Sequence, residues 1–583
     1  MIKTLLGSLR EYKQSSILTI LLSILEAAFE ILIPLRMADL IDQGIDLGNM
    51  AAVWKFGIAI LIFAALQLLT GVLSAHIAAK TSVGFSANLR QDMYDNVQTF
   101  AFSNIDKFST ASIVTRLTTD VTNIQNAYQM LIRMAVRGPV MLVFSMIVSF
   151  RINTTIALIF LAVIPIMALL LLLIIRKVGP LFGRVFRTYD TLNNVVQENV
   201  RGIRVVKSFD QEEREIQKFK GISQSIYEDF AAGERLLAFN SPIMQFFMYA
   251  CMILVSWIGA KAIVASGNSA ALGMTTGDLT ALFSYATQIL MALMMLSMVF
   301  TMIIISLASA HRIAEVLEEK TDIANPTGAE MTVRDGSIRF EQVSFAYAAK
   351  ADKKVLRNID LSIASGQTVG IIGGTGSSKS SLVQLIPRLY DVSSGRLLLG
   401  GVDVRKYDLD VLRNAVAMVL QKNELFSGTI KENLRWGNEN ATDEEIEEAC
   451  RLACADEFIQ SFPDKYDTYI EQGGSNVSGG QKQRLCIARA LLKKPKVLIL
   501  DDSTSAVDTK TDASIQKSFA EFIPDTTKII IAQRVSSVQR ADRIVVMDDG
   551  KIAACGTHDE LLKTCDIYRE VYESQQKGDS EHE

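Results

Sequence analysis

The stretch "QTVGIIGGTGSSKSSLVQLIPRLY", Gln367–Tyr390, holds an apolar run, a glycine-rich loop and an apolar-periodic segment, in that order. This order predicts a strand, a tight loop and a helix, with backbone amides gathered at the helix start. The spacing of Gly373, Gly376, Lys379 and Ser380 fits a phosphate loop. In such a loop the lysine reaches the β and γ phosphates and the serine ligates magnesium. The residues assigned to phosphate binding are Gly373, Gly374, Thr375, Gly376, Ser377, Ser378, Lys379, Ser380 and Ser381.

A second stretch, "KVLILDDSTSAVD" (Lys496–Asp508), complements the first. Its apolar run ends in Asp501 and Asp502, so a buried strand would deliver two carboxylates to its carboxyl end. Oxygen ligands of this kind suit magnesium. We expect Asp501 to ligate the metal together with Ser380, and Asp502 to lie where an attacking water is activated. The two stretches together indicate a nucleotide-binding α/β domain far more strongly than either does alone.

Length and composition place this domain beside a membrane domain. The chain has 583 residues, too many for one domain, and 49% of them are hydrophobic. The apolar residues are concentrated between Met1 and about Ala310, whereas the chain from about Arg334 onward has the composition of a soluble α/β domain. The net charge of −4 argues against a nucleic-acid partner. The six cysteines show no metal-binding spacing, which suggests reduced cytosolic thiols.

The apolar half contains segments of the length that crosses a bilayer, about 20 residues each. An even number of spans puts both termini on one side. Lys3, Arg10 and Lys13 precede the first span, and Arg176 and Lys177 follow the fourth. The positive-inside rule then predicts a multi-pass protein of the cell membrane with its termini and soluble domain in the cytoplasm. The predicted spans are Ser16–Met37, Val53–Ala79, Met134–Phe150, Thr155–Ile175, Ile243–Ala265 and Leu279–Ala308.

Two long polar connections, after the second and the fourth span, have helical spacing and fall on the cytoplasmic side. They include "DKFSTASIVTRLTTDVTNIQ" and "NNVVQENVRGIRVVKSFDQEEREIQKFK". Helical extensions of this kind could bring the membrane domain into contact with a soluble motor domain. The alternative is a pair of ordinary solvated hairpins.

Acidic and methionine residues inside the spans are candidates for contact with transported molecules. Glu26 and Glu30 lie four residues apart and so share one face of the first span. A carboxylate at this depth faces a cavity or a partner, so the pair either binds cationic or polar cargo or pairs with an arginine or hydroxyl of a neighbouring helix. Methionine adapts to irregular ligands but also fills cores. Several residues of the last two spans could likewise either contact cargo or fill the core. They are Met244, Phe247, Met248, Met252, Met291, Met294, Met295 and Met298.

The stretch "NVSGGQKQRLCIARALL" decides between families. Ser478, Gly479 and Gly480 open a helical segment, where unhindered amides and a hydroxyl can bind an anion. The motif resembles the signature of ABC-transporter ATPase domains, with Val477 where leucine is common. Gln481 completes the group. The whole chain resembles an exporter-type half-transporter, in which one six-helix membrane domain is fused to one ATPase domain.

The resemblance implies roles for further residues and names the cofactors, ATP and Mg²⁺. Tyr347 in "VSFAYAAK" is similar to the aromatic residue that stacks on adenine. Gln421 in "MVLQKNELFSGTI" is similar to the glutamine that contacts magnesium and water and senses the membrane domain. The D-loop corresponds to Ser505, Ala506, Val507 and Asp508.

The predicted fold class is multidomain: an all-α six-helix transmembrane domain followed by an α/β P-loop ABC ATPase domain. We place the membrane domain at 1–310, a linker at 311–332, the ATPase domain at 333–572 and a polar tail at 573–583. A soluble phosphate-loop ATPase that acts on chromosomes would share the signature, but the predicted spans exclude it.

Two positions depart from the family pattern in a way that affects chemistry. Asp502 stands where the family has its catalytic glutamate, and Gln533 in "IIIAQRVSS" stands where it has its switch histidine. Shortening the base by one methylene withdraws it by on the order of 1 Å, and a misplacement of that size can cost about 10²-fold in rate. Glutamine cannot carry the positive charge available to histidine. We therefore expect this chain's own site to bind ATP and to hydrolyse it slowly, if at all.

The intact signature implies a partner. In the family, two ATPase domains dock head to tail, and each nucleotide lies between one phosphate loop and the other chain's signature. The chain resembles the degenerate half of heterodimeric bacterial multidrug exporters, which transport drugs or other amphipathic small molecules across the lipid bilayer. A slow homodimer is the alternative for assembly. A lipid or peptide exporter, or an ATP-gated channel or regulator, is the alternative for function.

Overall fold

The computed structural model describes residues 1–269, 273–347, 354–502 and 507–580. The chain divides into two compact units. The first consists of Met1–Gln98 with Ser109–Glu319 and is helical. The second consists of Thr99–Phe108 with Lys320–Glu583 and contains every strand found in the described residues.

Long helices build the first unit, and short ones connect them. The helices up to residue 318, including α4 of the second unit, are α1 (Ile2–Gly7), α2 (Lys13–Leu40), α3 (Met50–Gln98), α4 (Phe102–Phe108), α5 (Thr110–Thr115), α6 (Val121–Ile152), α7 (Thr154–Arg201), α8 (Ile203–Ser208), α9 (Glu212–Leu237), α10 (Asn240–Ser266) and α11 (Thr276–Glu318). Six helical segments in the described part of the chain are long and apolar enough to cross a membrane, and each contains one predicted span.

Most of these helices are longer than a bilayer requires. Helix α3 has 49 residues and so extends about 74 Å, against a hydrocarbon core of about 30 Å. The predicted span Val53–Ala79 is the apolar part of this helix. The remainder, rich in polar helix formers, continues beyond the apolar part.

Small and polar residues form the contacts between the first helices. Ser23 of α2 and Ser74 of α3 are fully buried and share a hydrogen bond of 2.8 Å. The Tyr285 hydroxyl of α11 donates to the Ile31 carbonyl of α2 at 2.8 Å. Small side chains let helix backbones approach closely, which is the usual basis of helix association in lipid.

The second unit is built around three sheets. Its strands are β1 (Ile338–Phe345), β2 (Leu356–Ile363), β3 (Thr368–Gly373), β4 (Ser394–Leu399), β5 (Val402–Asp403), β6 (Val416–Val419), β7 (Gly428–Thr429), β8 (Tyr469–Ile470), β9 (Val497–Asp501), β10 (Thr527–Ile531), β11 (Arg543–Asp548) and β12 (Lys551–Gly556). The sheet orders are β2-β1-β4-β5, β12-β11-β3-β10-β9-β6 and β7-β8.

The helices of the second unit after α4 surround these sheets. They are α12 (Lys379–Gln384), α13 (Leu409–Ala415), α14 (Ile430–Arg435), α15 (Asp443–Leu452), α16 (Asp456–Gln460), α17 (Gly479–Leu491), α18 (Thr509–Phe522), α19 (His558–Thr564) and α20 (Asp566–Ser580).

The parallel part of the six-stranded sheet positions the predicted site. Strand β10 pairs with β3 on one side and with β9 on the other, and β9 pairs with β6. Ile531 is in register with both Ile371 and Asp501, and Leu500 is in register with Val419. Residues that follow these strands therefore meet at one edge of the sheet, where ligands of open parallel sheets bind.

The segment Thr99–Phe108, from the first long polar connection, belongs to the second unit. Asp106 of α4 accepts a hydrogen bond from the Tyr390 hydroxyl at 2.8 Å, and the ring of Phe102 meets that of Tyr390 edge-on. These contacts agree with the expectation that the first long connection contacts the soluble domain.

Two predicted domain boundaries fall within helices. Helix α11 continues to Glu318, past the predicted end of the membrane domain at 310, so the predicted linker 311–332 begins inside it. Helix α20 crosses the predicted boundary at 572 and extends to Ser580. In both places good helix formers follow the apolar part of the segment, and a change in composition does not end a helix.

Candidate nucleotide site

The phosphate loop joins β3 to α12 as predicted from its motif. The Lys379 ammonium donates to the carbonyls of Gly373 and Gly374 at 2.8 and 2.9 Å and to the Ser377 hydroxyl at 3.3 Å. Burial lowers the pKa of Lys379, and the charges of Asp501 and Asp502 oppose that shift. The loop thus holds its cation at the sheet edge, where the predicted phosphate site lies.

Ser378, which stands where the phosphate-loop motif has glycine, adopts a left-handed backbone with φ of 72°. A residue with a Cβ meets about 1–2 kcal/mol of steric resistance in this conformation, whereas glycine meets little. This explains why the motif has glycine there. The loop keeps its turn despite the serine, because Ser377 donates its backbone N–H to the Gly374 carbonyl at 3.2 Å.

Ser380 and Asp501 form the part of the site that would hold magnesium. The Ser380 hydroxyl donates to Asp501 Oδ1 at 3.0 Å, and Asp501 is only 2% exposed. Burial raises the pKa of Asp501, and the hydrogen bond from Ser380 opposes the shift. A hydroxyl and a carboxylate are the oxygen ligands that magnesium takes beside nucleotide phosphates.

Asp502 is bound by amides. Gln533 donates its side-chain N–H to Asp502 Oδ2 at 2.6 Å. Burial raises the pKa of Asp502, and hydrogen bonds from Gln533 and Gln421 oppose the shift. The two residues that depart from the family pattern, Asp502 and Gln533, are therefore hydrogen bonded to each other.

A cavity of about 330 Å³ collects most of the predicted residues. Ile531, which sequence reasoning missed, joins them because it ends β10 two residues before Gln533. Gly374 is predicted but is not among the lining residues; it contributes its carbonyl to Lys379. The lining consists of Gly373, Thr375, Gly376, Ser377, Ser378, Lys379, Ser380, Ser381, Gln421, Asp501, Asp502, Ile531 and Gln533.

Tyr347 is tied to the phosphate loop. Its hydroxyl is 2.8 Å from the Ser381 hydroxyl, and its ring is about half exposed. The ring packs edge-on against Phe345 and Tyr390, with centroid distances of 4.9 and 5.1 Å. Tyr390 was not assigned a role from the sequence, although it closes the stretch that contains the loop. An exposed aromatic face beside the loop suits the predicted stacking on adenine.

The signature residues lie outside the cavity lining. Ser478 caps α17: its hydroxyl accepts from the Gln481 backbone at 3.3 Å, and the Gln481 side chain accepts from the Ser478 backbone at 2.9 Å. Gly479 and Gly480 form the first turn. Val477 packs against the core, so the change from leucine keeps an apolar contact. The helix start is thus preformed by its own capping hydrogen bonds, and its residues are not part of the phosphate loop cavity.

The D-loop is described only in part. Ser505 and Ala506 lie outside the described residues. Val507 is buried. Asp508 caps α18 by accepting from the Thr511 backbone at 2.9 Å.

Comparisons with known proteins agree with this geometry. The family model described as ABC transporter transmembrane region matches residues 16–294, and the model described as ABC transporter matches residues 356–505. An uncharacterized ABC transporter ATP-binding protein of Bacillus subtilis (strain 168), YfiB, is 37% identical over 98% of this chain and 98% of its own length. The chain belongs to the ABC transporter family.

Other relatives and a solved structure extend this finding. A Mycobacterium tuberculosis (strain CDC 1551 / Oshkosh) protein, the uncharacterized ABC transporter ATP-binding protein MT1311, is 34% identical over 97% of both chains. A fatty acid ABC transporter ATP-binding/permease protein of Mycobacterium bovis (strain ATCC BAA-935 / AF2122/97) is 32% identical over 91% of this chain and 82% of its own. The structure of a bacterial Atm1-family ABC exporter with ATP bound has the same fold, with a TM-score of 0.83, 23% identity and coverage of 97% and 99%.

This ABC transporter chain is therefore a half-transporter with the fold of an ABC exporter, a multi-pass membrane protein whose ATPase domain binds ATP. Its predicted fold class is confirmed. The roles of individual site residues stay predictions, supported by the arrangement around the cavity.

The two membrane carboxylates of this ABC transporter meet an arginine. Glu26 is 2.9 Å and Glu30 is 2.5 Å from the Arg137 guanidinium of α6, and Arg133 is 3.9 Å from Glu26. Gly71 of α3 leaves room for Glu26, because a Cβ there would lie 3.1 Å from the carboxylate oxygen. The contacts match the structural alternative, a pair with an arginine on a neighbouring helix, and a role in cargo binding stays a prediction. Arg133 and Arg137, spaced four apart like the glutamates, were the signal in the sequence.

Proposed function

We propose that this chain is the degenerate-site subunit of a heterodimeric exporter in a bacterial plasma membrane, which uses ATP to export drugs or other amphipathic compounds. The observation that carries the proposal is the pairing of Asp502 with Gln533, inside a site that otherwise has its expected groups.

The site has the groups expected to bind MgATP, but the two groups expected to act in hydrolysis are replaced. Lys379, Ser380 and Asp501 offer a cation, a hydroxyl and a carboxylate to MgATP. The groups that would act on water and the γ phosphate are a short acid and an uncharged amide, hydrogen bonded to each other. A general base must lie within hydrogen-bonding reach of the water it activates, and Asp502 is one methylene short of the position that the family's glutamate takes.

Hydrolysis would then occur at the other site of the dimer. There the phosphate loop, glutamate and histidine come from the partner chain, and this chain contributes Ser478, Gly479 and Gly480. The first turn of α17 presents the backbone amides of Gly479 and Gly480 at the positive end of the helix dipole, which favours an anion. ATP would close the two ATPase domains, and the cytoplasmic helical extensions would transmit closure to the spans, so that cargo moves outward by alternating access.

The proposed cargo class follows from similarity to a named relative. A relative named for fatty acids is 32% identical over 91% of this chain, which supports amphipathic cargo in general. A lipid or peptide exporter of the same architecture, or an ATP-gated channel or regulator, would share the nucleotide site. Single-channel conductance would identify a channel.

The test is to purify the native chain with the partner that co-purifies with it and to compare ATP turnover of the pair with that of the chain alone. We expect the chain alone to bind ATP with little turnover. The variant Asp502→Glu/Gln533→His restores the family residues and should raise the activity of the chain alone. Brisk hydrolysis by the unaltered chain as a homodimer would overturn the proposal, and Lys379→Ala controls for a contaminating ATPase.

A further inference from the structure

A second cavity, of about 510 Å³, lies within the first unit between α6, α7, α11 and the junction of α9 and α10. This volume is in the range that holds a drug-sized molecule. Six of the chain's 21 methionines line it: Met130, Met134, Met294, Met295, Met298 and Met302. Their thioether side chains are apolar, polarizable and flexible, so the wall can adapt to flat or irregular molecules.

The cavity wall has very few polar groups. In the part of the chain that the structure describes, its polar side chains are Asn240, Ser297 and Thr301, and no charged side chain lines it. The Thr301 hydroxyl is already used, because it donates to the Ser297 carbonyl at 3.0 Å. Asn240, the first residue of α10, differs: its Oδ1 is buried and has no hydrogen-bond partner among the described residues.

An unpaired buried amide oxygen is costly, and a ligand that donates to it would recover that free energy. The torsion that turns an asparagine amide is soft, so the oxygen can swing toward the cavity without a strained rotamer. The wall therefore offers a buried, unpaired hydrogen-bond acceptor, Asn240 Oδ1, in a largely apolar surface.

The carboxylates that could have attracted cations lie elsewhere. Glu26 and Glu30 are paired with Arg137, and neither lines this cavity. A charged molecule bound there would lose part of its hydration without gaining a counter-ion, which is unfavourable.

From these observations we infer that the methionine-lined cavity is a binding site for uncharged, largely apolar molecules that carry one hydrogen-bond donor, with Asn240 as the acceptor. The inference rests on the proposed export function, within which this site would take the cargo. This cargo class differs from the cationic class that Glu26 and Glu30 suggested in the sequence.

Three probes that share one ring system test the class. N-phenyl-1-naphthylamine is neutral with one N–H, its N-methyl derivative lacks the donor, and 8-anilino-1-naphthalenesulfonate adds a negative charge. Saturable fluorescence enhancement is measured with the pair in nanodiscs, after subtraction of empty nanodiscs. We expect the neutral N–H probe to bind about 3- to 10-fold more tightly than its N-methyl derivative, the value of one hydrogen bond, and at least about tenfold more tightly than the sulfonate.

Variants locate the site. Met295→Trp fills the cavity and should weaken binding of the N–H probe by about tenfold or more. Met291→Trp, on the same helix but exposed and outside the lining, is the matched control and should change binding by less than about twofold. Asn240→Leu should remove the preference for the N–H probe over its N-methyl derivative and leave the affinity for the latter unchanged.

Equal binding of the neutral and sulfonated probes, or an unchanged affinity in Met295→Trp, would overturn the inference. If a cavity variant does not fold, the three-probe comparison on the unaltered pair decides alone. Probe binding is measured without ATP, so failure here leaves the asymmetry of the nucleotide sites untouched, and brisk ATPase of the chain alone leaves the cavity result untouched.

Discussion

Two pairs of carboxylates, each with one buried and one partly buried member, lie one in each compact unit and are balanced in opposite ways. In the membrane unit, Glu26 and Glu30 share the guanidinium of Arg137. In the ATPase unit, Asp501 accepts from the Ser380 hydroxyl, and Asp502 from the Gln533 amide. The first pair meets a fixed full charge. The second meets neutral dipoles, with Lys379 as the nearby cation.

The difference shows what each pair can do. A carboxylate already paired with a partly buried arginine has little to offer a further cation, and removing the arginine would leave it without a close counter-charge. A carboxylate held by a hydroxyl and raised in pKa by burial is poised to take a metal ion. Burial of acidic residues therefore does not indicate a binding site by itself, because the charge of the partner decides.

The largest expected effect comes from breaking the membrane pair. Arg137→Ala leaves the buried Glu26 and the partly buried Glu30 without their close counter-charge and should lower the free energy of unfolding by about 3–5 kcal/mol. Arg133→Ala is the matched control on the same helix face. Its contact with Glu26 is long, at 3.9 Å, so we expect a loss of about 1 kcal/mol or less. Denaturant titration of the purified protein in detergent measures both.

Arg137→Met combined with Glu26→Gln and Glu30→Gln should recover most of the loss, because it removes the charges together. Equal destabilisation by Arg137→Ala and Arg133→Ala would show that Arg137 is not the main counter-charge of Glu26 and Glu30.

The second effect concerns the signature. Ser478→Arg places a bulky cation at the first turn of α17, where the capping hydroxyl and two glycines leave the amides accessible. We expect ATP turnover of the proposed heterodimer to fall about 100-fold, as when a group that positions the reacting phosphate is displaced. Turnover of purified pairs is the measurement. Ser475→Arg, just before the signature, is the control, and equal losses in both variants would contradict a specific role.

The third effect is on metal binding. Asp501→Asn keeps the shape and the hydrogen bond from Ser380 but removes the charge, so Mg²⁺-dependent binding of a fluorescent ATP analogue should weaken by about tenfold or more. Binding measured in EDTA should change much less, since Lys379 still faces the phosphates. A similar loss with and without magnesium would indicate a folding defect instead of a lost ligand.

The architecture was predictable from the sequence where one physical signal dominates. Apolar length placed a span inside each long helix, and the strand–loop–helix and strand–aspartate patterns placed Lys379 and Asp501 at one sheet edge. Helix ends were not predictable in the same way. Hydropathy reports the part of α3 or α11 that lies in lipid, and the polar continuation to Gln98 or Glu318 carries no such signal.

Contacts between distant residues were the other limit. The pairing of Glu26 with Arg137 depends on how α2 and α6 pack. Residue spacing alone could not decide whether the glutamates bind cargo or form a structural ion pair. The same holds for Tyr390, whose hydroxyl reaches Asp106 across the sequence. The departure at Ser378 was visible in the motif, but its left-handed backbone required the structure.

The smallest expected effect is the one that most sharply tests the asymmetry. Asp502→Ala removes the short acid from a site that we propose does not turn over, so ATP turnover of the proposed heterodimer should change by less than about twofold. In a competent site, loss of the residue that activates water costs about 10²-fold or more. The equivalent substitution of the partner's catalytic glutamate is therefore the control, and it should abolish turnover. Asp502→Ala also removes the carboxylate that accepts a hydrogen bond from the Gln533 amide. A slight change in ATP affinity would therefore not contradict the expectation. A near-total loss of turnover in Asp502→Ala would show that this carboxylate works as a base despite its length, and the two carboxylate pairs would then differ in catalysis as well as in balance.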